Sequence, residues 1–419
     1  VRVITVVATE LVQTQPTTDR PSSTAGGAPR RRIDCIDCVR GVVMVLMVLD
    51  HVKGNFSNIH FDATDLAETT PGFFLTRWIT HFCAPTFVFL TGTGAYLHGL
   101  RCSSRGQLAR FLLSRGMWLI FLEFTVVRFS WFVNIDYAFT VAQVIWAIGC
   151  SLVVLAALVF LPTWAVTAFG VAMVALHNLL DGVSSADFGR FAWVWKILHT
   201  GEFIEFAPGH VVAPLYPLVP WVGVLACGYG FGSIMGLEPA RRRKTLLAFG
   251  MALCVAFVAL RYTNWYGDRA SDQPVHAGPW SVRSSPLFTA FSFVNCQKYP
   301  PSLCFLLMTL GPAIVLLALV DREPGAIERA FIVFGRVPLF FYLLHFYLIK
   351  LLSILFAYLR YARADWLVGE NRPEPPPDNG YDLWVVYLLW IGVVAMLFPL
   401  CYWFARVKQR SRSVWLSYL

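Results

Sequence analysis

With 419 residues, 57% hydrophobic and only 14% charged, and a mean hydropathy of +0.59, the chain is too apolar for a soluble globular protein, where about a quarter of residues carry charge. The same figures exclude disordered, collagen-like, coiled-coil and disulfide-scaffold classes and leave an integral membrane protein. In that setting a formal charge of +9 reads as Lys and Arg flanking membrane spans, and no nucleic-acid partner is expected.

Residues 1–29, rich in Thr, Ser, Pro and Gly, are predicted to form a disordered tail with no soluble domain before the membrane part. The apolar stretch Val3 to Ala8 is too short for a cleavable signal. A spanning helix needs about 20 apolar residues. Charge-free runs occur at Trp78–Leu100, Ala138–Leu176, Phe206–Leu237, Thr245–Leu260, Tyr299–Val320 and Leu383–Ala405. The second is long enough for two spans, with Pro162-Thr163 as the turn. Ile36–Lys53, Phe111–Trp131 and Phe331–Tyr358 are apolar but interrupted by charge. The expectation is an all-α, polytopic helical bundle over 30–410 with about ten transmembrane helices, followed by a short tail at 411–419. Continuous apolar runs exclude a β-barrel.

Basic residues set the orientation. Arg30–Arg32, then Arg101, Arg105, Arg110 and Arg115, then Arg241–Lys244, Arg322 with Arg329, and Arg406 through Arg412 fall on one side. The intervening loops are longer and partly acidic. An even helix number with both termini cytoplasmic, in the cytoplasmic membrane, satisfies the positive-inside pattern.

Ionisable groups within spans are costly, about 2.5–3.5 kcal/mol each on insertion scales, and are therefore functional candidates. The first span holds Asp34, Asp37, Arg40, Asp50 and His51. Arg40 and His51 are eleven residues apart, which places them about 20° apart in azimuth and about 16 Å apart along a helix. Asp37 can pair with Arg40. The alternative is a topogenic Arg40 and an interfacial His51. His81, Glu123 and His345 also fall within apolar segments, where each suits either chemistry or a structural partnership. His177, Asn178 and Asp181 read as a polar helix end. Cysteines lie mostly in apolar runs; Cys35 and Cys38 form a lone C-x-x-C without metal-spaced histidines, so no metal is expected. No GxSxG elbow, P-loop, HExxH or dinucleotide fingerprint is present.

The stretch Arg32-Ile33-Asp34-Cys35-Ile36-Asp37-Cys38-Val39-Arg40-Gly41, continuing through Met47 to His51, resembles the bacterial branch of the heparan-alpha-glucosaminide N-acetyltransferase catalytic family. Thr76 to Pro85, Phe87 to Gly92, Tyr299 to Leu303, Leu306 to Pro312 and Gly335 to His345 extend the resemblance across roughly 30–410. It implies a transmembrane acyltransferase that moves an acyl group, with acetyl the leading expectation, from cytosolic acetyl-CoA to a hydroxyl or amine of a sugar-like acceptor at or beyond the outer membrane face. The acceptor is unnamed, and a homodimer is compatible with the family. On this reading His51 is the general base, with His81 and His60 in reserve and Asp50, Asp37 or Glu123 orienting partners. Arg40, Asp37, Arg110, Arg115, Arg336 and His345 are the candidates for the CoA side. Trp265, Tyr266 and Trp280 are candidates for stacking on the acceptor sugar, or else belt residues. The rival expectation is a proton-coupled transporter or lipid-binding membrane protein without acyl transfer.

Overall fold

The first helix, α1 (Asp34–Phe56), carries charge at both ends and an unbroken apolar middle, Val43 to Leu49, that is largely buried. The structure, a computed structural model, describes residues 33–268, 278–370 and 372–411. The predicted tail at 1–29 lies outside them, as does the tail at 411–419 beyond Ser411.

Helices α2 (Pro71–Thr80) and α3 (Cys83–Gly99) follow as one rod, interrupted only at His81-Phe82. Next come α4 (Arg105–Leu122), a π-helical turn at Glu123–Val127, and α5 (Arg128–Phe132). The strand β1 (Phe139–Ala142) precedes α6 (Val144–Leu158) and α7 (Thr163–Leu176), with Pro162 at the break, where its fixed φ and missing N–H suit a helix start. A short helix, α8 (Ala192–Trp195), leads to β2 (Ile204–Ala207) and β3 (His210–Pro214). The remaining helices are α9 (Leu218–Phe231), α10 (Pro239–Thr263), α11 (Pro286–Val294), α12 (Leu303–Leu319), α13 (Ala326–Arg336), α14 (Pro338–Tyr361) and α15 (Leu383–Arg410).

Among the described residues, six helical stretches are long and apolar enough to cross a membrane: Pro71–Gly99, Thr163–Leu180, Leu218–Gly236, Pro239–Thr263, Pro338–Tyr361 and Leu383–Arg410. That is fewer than the ten expected. Two further apolar helices, α6 and α12, are shorter. The strictly all-α expectation also needs correction, because β3 pairs parallel with β1 and antiparallel with β2 in a small sheet. The apolar run Phe206–Leu237 hid two of those strands, since composition alone does not separate a short buried strand from helix. Phe331–Tyr358 is likewise two helices, broken at Val337-Pro338.

Glycines let the helices touch through their backbones. A methyl at Gly41 would stand 1.9 Å from the Phe331 carbonyl oxygen, and one at Gly335 would stand 1.8 Å from that of Asp37. The reciprocal pair Gly92 and Gly228 joins α3 to α9 in the same way, and Gly116 with Gly149 joins α4 to α6. Small residues at such contacts are the membrane solution to close packing. Around α1 the core is completed by α13, α14 and α15, with the Trp390 indole donating to Val45 O at 2.8 Å.

Candidate active site

His51 lies in the C-terminal half of α1, where its ring centroid is 5.1 Å from that of His345, 4.5 Å from Phe346 and 5.8 Å from Trp131. Trp131 reaches it from α5, just past the π-helical turn. The carbonyls that this turn frees are taken up by tyrosines: Tyr137 donates to Phe124 O at 2.8 Å and Tyr347 to Val126 O at 2.7 Å.

His345 was expected on the CoA side with Arg336. The structure places it beside His51 instead, on the far side of the Val337-Pro338 break. Its Nδ1 faces Phe341 O of its own helix at 3.3 Å, and its Nε2 has no protein partner although the residue is 0% exposed. The carbonyl selects the tautomer with hydrogen on Nδ1, so Nε2 presents a lone pair. Tyr342, also buried, packs 5.5 Å from His345, and its hydroxyl likewise has no protein partner.

Asp50, the neighbour of His51, is held by α2: Arg77 Nη1 donates to its two oxygens at 2.8 and 2.6 Å. His81, at the break between α2 and α3, is 3% exposed, rests against Phe305 and has an Nδ1 without a protein partner. Lys298 acts electrostatically on Asp50, His51 and His81. Its Nζ sits 5.0 Å from the Tyr299 ring centroid. The Tyr299 and Tyr216 hydroxyls share a hydrogen bond, and Tyr216 is in turn within electrostatic range of Tyr342. The polar side chains thus group by contact as His51 with His345 and Tyr342, Tyr216 with Tyr299 and Lys298, and Asp50 with Arg77. Buried polar atoms in folded proteins are nearly always satisfied. His345, Tyr342 and His81 are buried side chains that keep atoms without a protein partner.

Glu123 plays a different part. It is buried, and its Oε2 accepts the Trp146 N–H at 3.1 Å, with the amides of Gln143 and Ile145 also directed at it. The carboxyl thus caps the start of α6, where orphan N–H groups need an acceptor. His60 is exposed in the loop after α1.

The N-terminal end of α1 gathers the other candidates. Arg40 donates to Asp37 and to Gly335 O, both at 3.2 Å, and Arg336 pairs with Asp34 at 3.3 Å. The foursome Asp34, Asp37, Arg40 and Arg336 carries no net charge. Arg110 is exposed on α4, and Arg115 on the same helix lies over the Phe111 ring.

The loop aromatics divide. Tyr266 donates to Ala175 O at 2.6 Å, the Trp280 ring packs on Phe293, and Trp265 is exposed. Residues 269–277 of that loop lie outside the described residues. His177, Asn178 and Asp181, which the sequence presents as a helix end, do more: His177 Nε2 meets Pro301 O at 2.8 Å and Asn178 accepts the Leu303 N–H at 2.9 Å. They tether the segment that carries Lys298 and Tyr299. Sequence reasoning missed Lys298, Tyr299, Tyr216 and Tyr342 as site residues. The one signal was a lone lysine beside the Tyr299-to-Leu303 stretch.

No individually curated protein matches the chain. The family model described as "Heparan-alpha-glucosaminide N-acetyltransferase, catalytic" matches residues 32–261, which include Arg40, His51, Arg77 and His81. The match is shorter than the 30–410 read from the sequence and stops before Lys298 and His345. It nevertheless spans more than half the protein, and with its long apolar helices the chain belongs to the heparan-alpha-glucosaminide N-acetyltransferase catalytic family of membrane acyltransferases.

Proposed function

We propose that the protein transfers an acyl group, acetyl first, from cytosolic acyl-CoA to a hydroxyl or amine of a sugar-like acceptor at or beyond the outer membrane face. One observation carries this reading: within the family-matched stretch, the half-buried His51 packs beside His345, whose buried Nε2, like the Tyr342 hydroxyl next to it, has no protein partner, and it lies on the same helix face as Arg40, about 16 Å from it. That span suits an extended pantetheine arm with its phosphates at Arg40 and Arg336 and its thioester beside His51. To bind phosphate, the two arginines exchange their contacts with Asp37 and Asp34, a like-for-like replacement of one oxyanion by another. His51 takes the acceptor proton as the acceptor attacks, and His345 contributes its Nε2 lone pair next to it. With α1, α4, α6 and α12 counted alongside the six long apolar stretches the chain would cross ten times, and the positive-inside pattern of its basic residues then puts both termini in the cytoplasm.

The test uses the full chain purified in detergent with acetyl-CoA, and with glucosamine as the first acceptor. The wild type should release CoA and form acetylated product. His51→Ala should slow transfer by about 10²–10⁴ while acetyl-CoA still binds and melting is unchanged. Absence of acetyl-CoA binding and turnover in the wild type would favour the transporter reading.

A further inference from the structure

Trp131 meets His51 from a firmly held backbone. Its indole stands edge-on to the His51 ring, with centroids 5.8 Å apart and planes at 72°. It also packs 5.5 Å from Phe346, whose ring lies 4.5 Å from that of His51. The loop before α15 grips α5 from behind. Arg372 Nη2 donates to Trp131 O at 2.8 Å, and the Gly369 N–H donates to Phe132 O at 2.6 Å. Between them Glu370 pairs with the buried Arg128 and accepts the Phe139 N–H at 2.9 Å. Arg372 Nε closes on Gly369 O at 2.8 Å, and Lys350 of α14 donates to Leu367 O at 3.2 Å. Yet Trp131 Nε1 is buried with no protein partner. An indole nitrogen can only donate, so the atom it lacks is one with a lone pair. Nε1 belongs to the ring that rests on His51, which puts this open donor within an indole's width of the imidazole.

The unpartnered atoms beside His51 differ in kind. Trp131 Nε1 offers only a hydrogen, whereas His345 Nε2 offers a lone pair. Of the reacting groups in acyl transfer, the attacking hydroxyl or amine brings hydrogens, and the thioester carbonyl oxygen brings only lone pairs. Resting on the acyl-transfer reading above, we propose that the Trp131 indole N–H donates to the thioester carbonyl oxygen and stabilises the oxyanion formed on attack. The nucleophile's oxygen or nitrogen bonds to the carbonyl carbon, the C=O π pair moves onto oxygen, and the nucleophile's proton passes to His51. Collapse restores the carbonyl and breaks the C–S bond, and the departing thiolate takes the proton from His51 to leave as CoA thiol. The negative oxygen exists only between these two events, so a donor that strengthens its bond to it lowers the barrier more than it tightens the ground state. Such a donor is effective when it is fixed in advance and need not reorganise. The grip of Gly369, Glu370 and Arg372 on α5 supplies that fixity.

Acetyl-CoA hydrolysis by the detergent-purified full chain, with water as the nucleophile and CoA thiol release as the readout, tests the assignment. Trp131→Phe keeps an aromatic ring against His51 and removes the N–H. It should lower kcat by about 10²–10³, the scale of one lost oxyanion donor, with the KM for acetyl-CoA within about twofold. A second form carries benzothienylalanine at position 131, which keeps the bicyclic outline and puts sulfur where the N–H was. Its kcat should fall to the same degree while its melting matches the wild type, and it decides the matter if Trp131→Phe melts early. Wild-type kcat in the benzothienylalanine form overturns the proposal, because the ring's shape and not its N–H would then be what matters. A rise in KM at unchanged kcat overturns it too, since the indole would then bind substrate and transition state equally. A wild type that releases no CoA under any condition refutes the acyl-transfer reading itself, and this proposal with it.

Discussion

Removing both members of the Asp50–Arg77 pair should cost clearly less than the sum of removing each alone. The two side chains are about one-fifth to one-quarter exposed, and Arg77 Nη1 touches both carboxylate oxygens at 2.6 and 2.8 Å. Lys298 and Lys53 also act on Asp50, so Asp50→Asn removes the carboxylate that offsets all three cations. Breaking a buried pair from one side costs about 3–5 kcal/mol, because the remaining charge is left uncompensated, whereas replacing both partners is often close to neutral. Arg77→Gln and Asp50→Asn should each destabilise by about 3 kcal/mol, at the lower end given the residual exposure, and the double variant by clearly less than their sum. Coupling between contacting residues of about 0.5–3 kcal/mol is the usual range. The assay is thermal melting in one detergent, run as a complete double-mutant cycle, with acetyl-CoA hydrolysis measured on each folded variant. Because Asp50 adjoins His51, each single variant should also slow hydrolysis. Strict additivity of the two melting shifts would show that the carboxylate and guanidinium do not stabilise one another, and would remove the pair as the anchor of α2 beside His51.

Two other outcomes follow from groups outside that pair. Burial pushes the Asp268 carboxyl up to about 7, against the pull of Arg261, compared with about 3.9 in an unfolded chain. The folded state therefore binds the extra proton between those values, and stability should fall as pH rises from about 4 to 7 and then level off. The difference in melting temperature between wild type and Asp268→Asn, followed from pH 5 to 8, should show that slope, and a difference that grows with pH would reverse the sign assigned to Asp268. Glu123→Ala should cost about 1–2 kcal/mol in melting through the lost cap of α6, while acetyl-CoA hydrolysis per folded molecule stays near wild type. A fall of a hundredfold in hydrolysis without a melting change would make Glu123 catalytic after all.

Much of the helical layout is legible in composition, because a membrane fixes element length. The turn at Pro162 and the pairing of Asp37 with Arg40 were readable from one dihedral constraint and one helix repeat. The break at Val337-Pro338 was not read, although proline signalled it, because the apolar run continues through it. The sheet escaped for a related reason: Phe206 and its neighbours are as apolar as a span but sit in four- and five-residue strands. The site was half visible. His51 and His81 stood out as imidazoles among aliphatic residues, and Arg40 by its spacing from His51. Lys298, Tyr216 and Tyr299 come from connecting segments, and the one that holds Lys298 and Tyr299 is fixed by tertiary tethers through Asp268, His177 and Asn178. No local pattern encodes such tethers. Glu123 shows the converse, since an acidic residue in a span is equally conspicuous whether it meets a substrate or the exposed amides of a neighbouring helix.

The reciprocal glycine contacts bear on ion leakage. Where Gly41 meets Phe331 and Gly335 meets Asp37, or Gly92 meets Leu225 and Gly228 meets Phe89, a methyl group would stand within 2.0 Å of a carbonyl oxygen, closer than a hydrogen-bonded water oxygen stands, so neither fits at those points. Proton conduction along a helix seam needs a continuous file of such waters. With these seams closed, the bundle can keep histidines, a lysine and paired carboxylates in its interior without offering protons a bypass along those contacts. Close backbone contact thus gives these seams an insulating role besides their packing role.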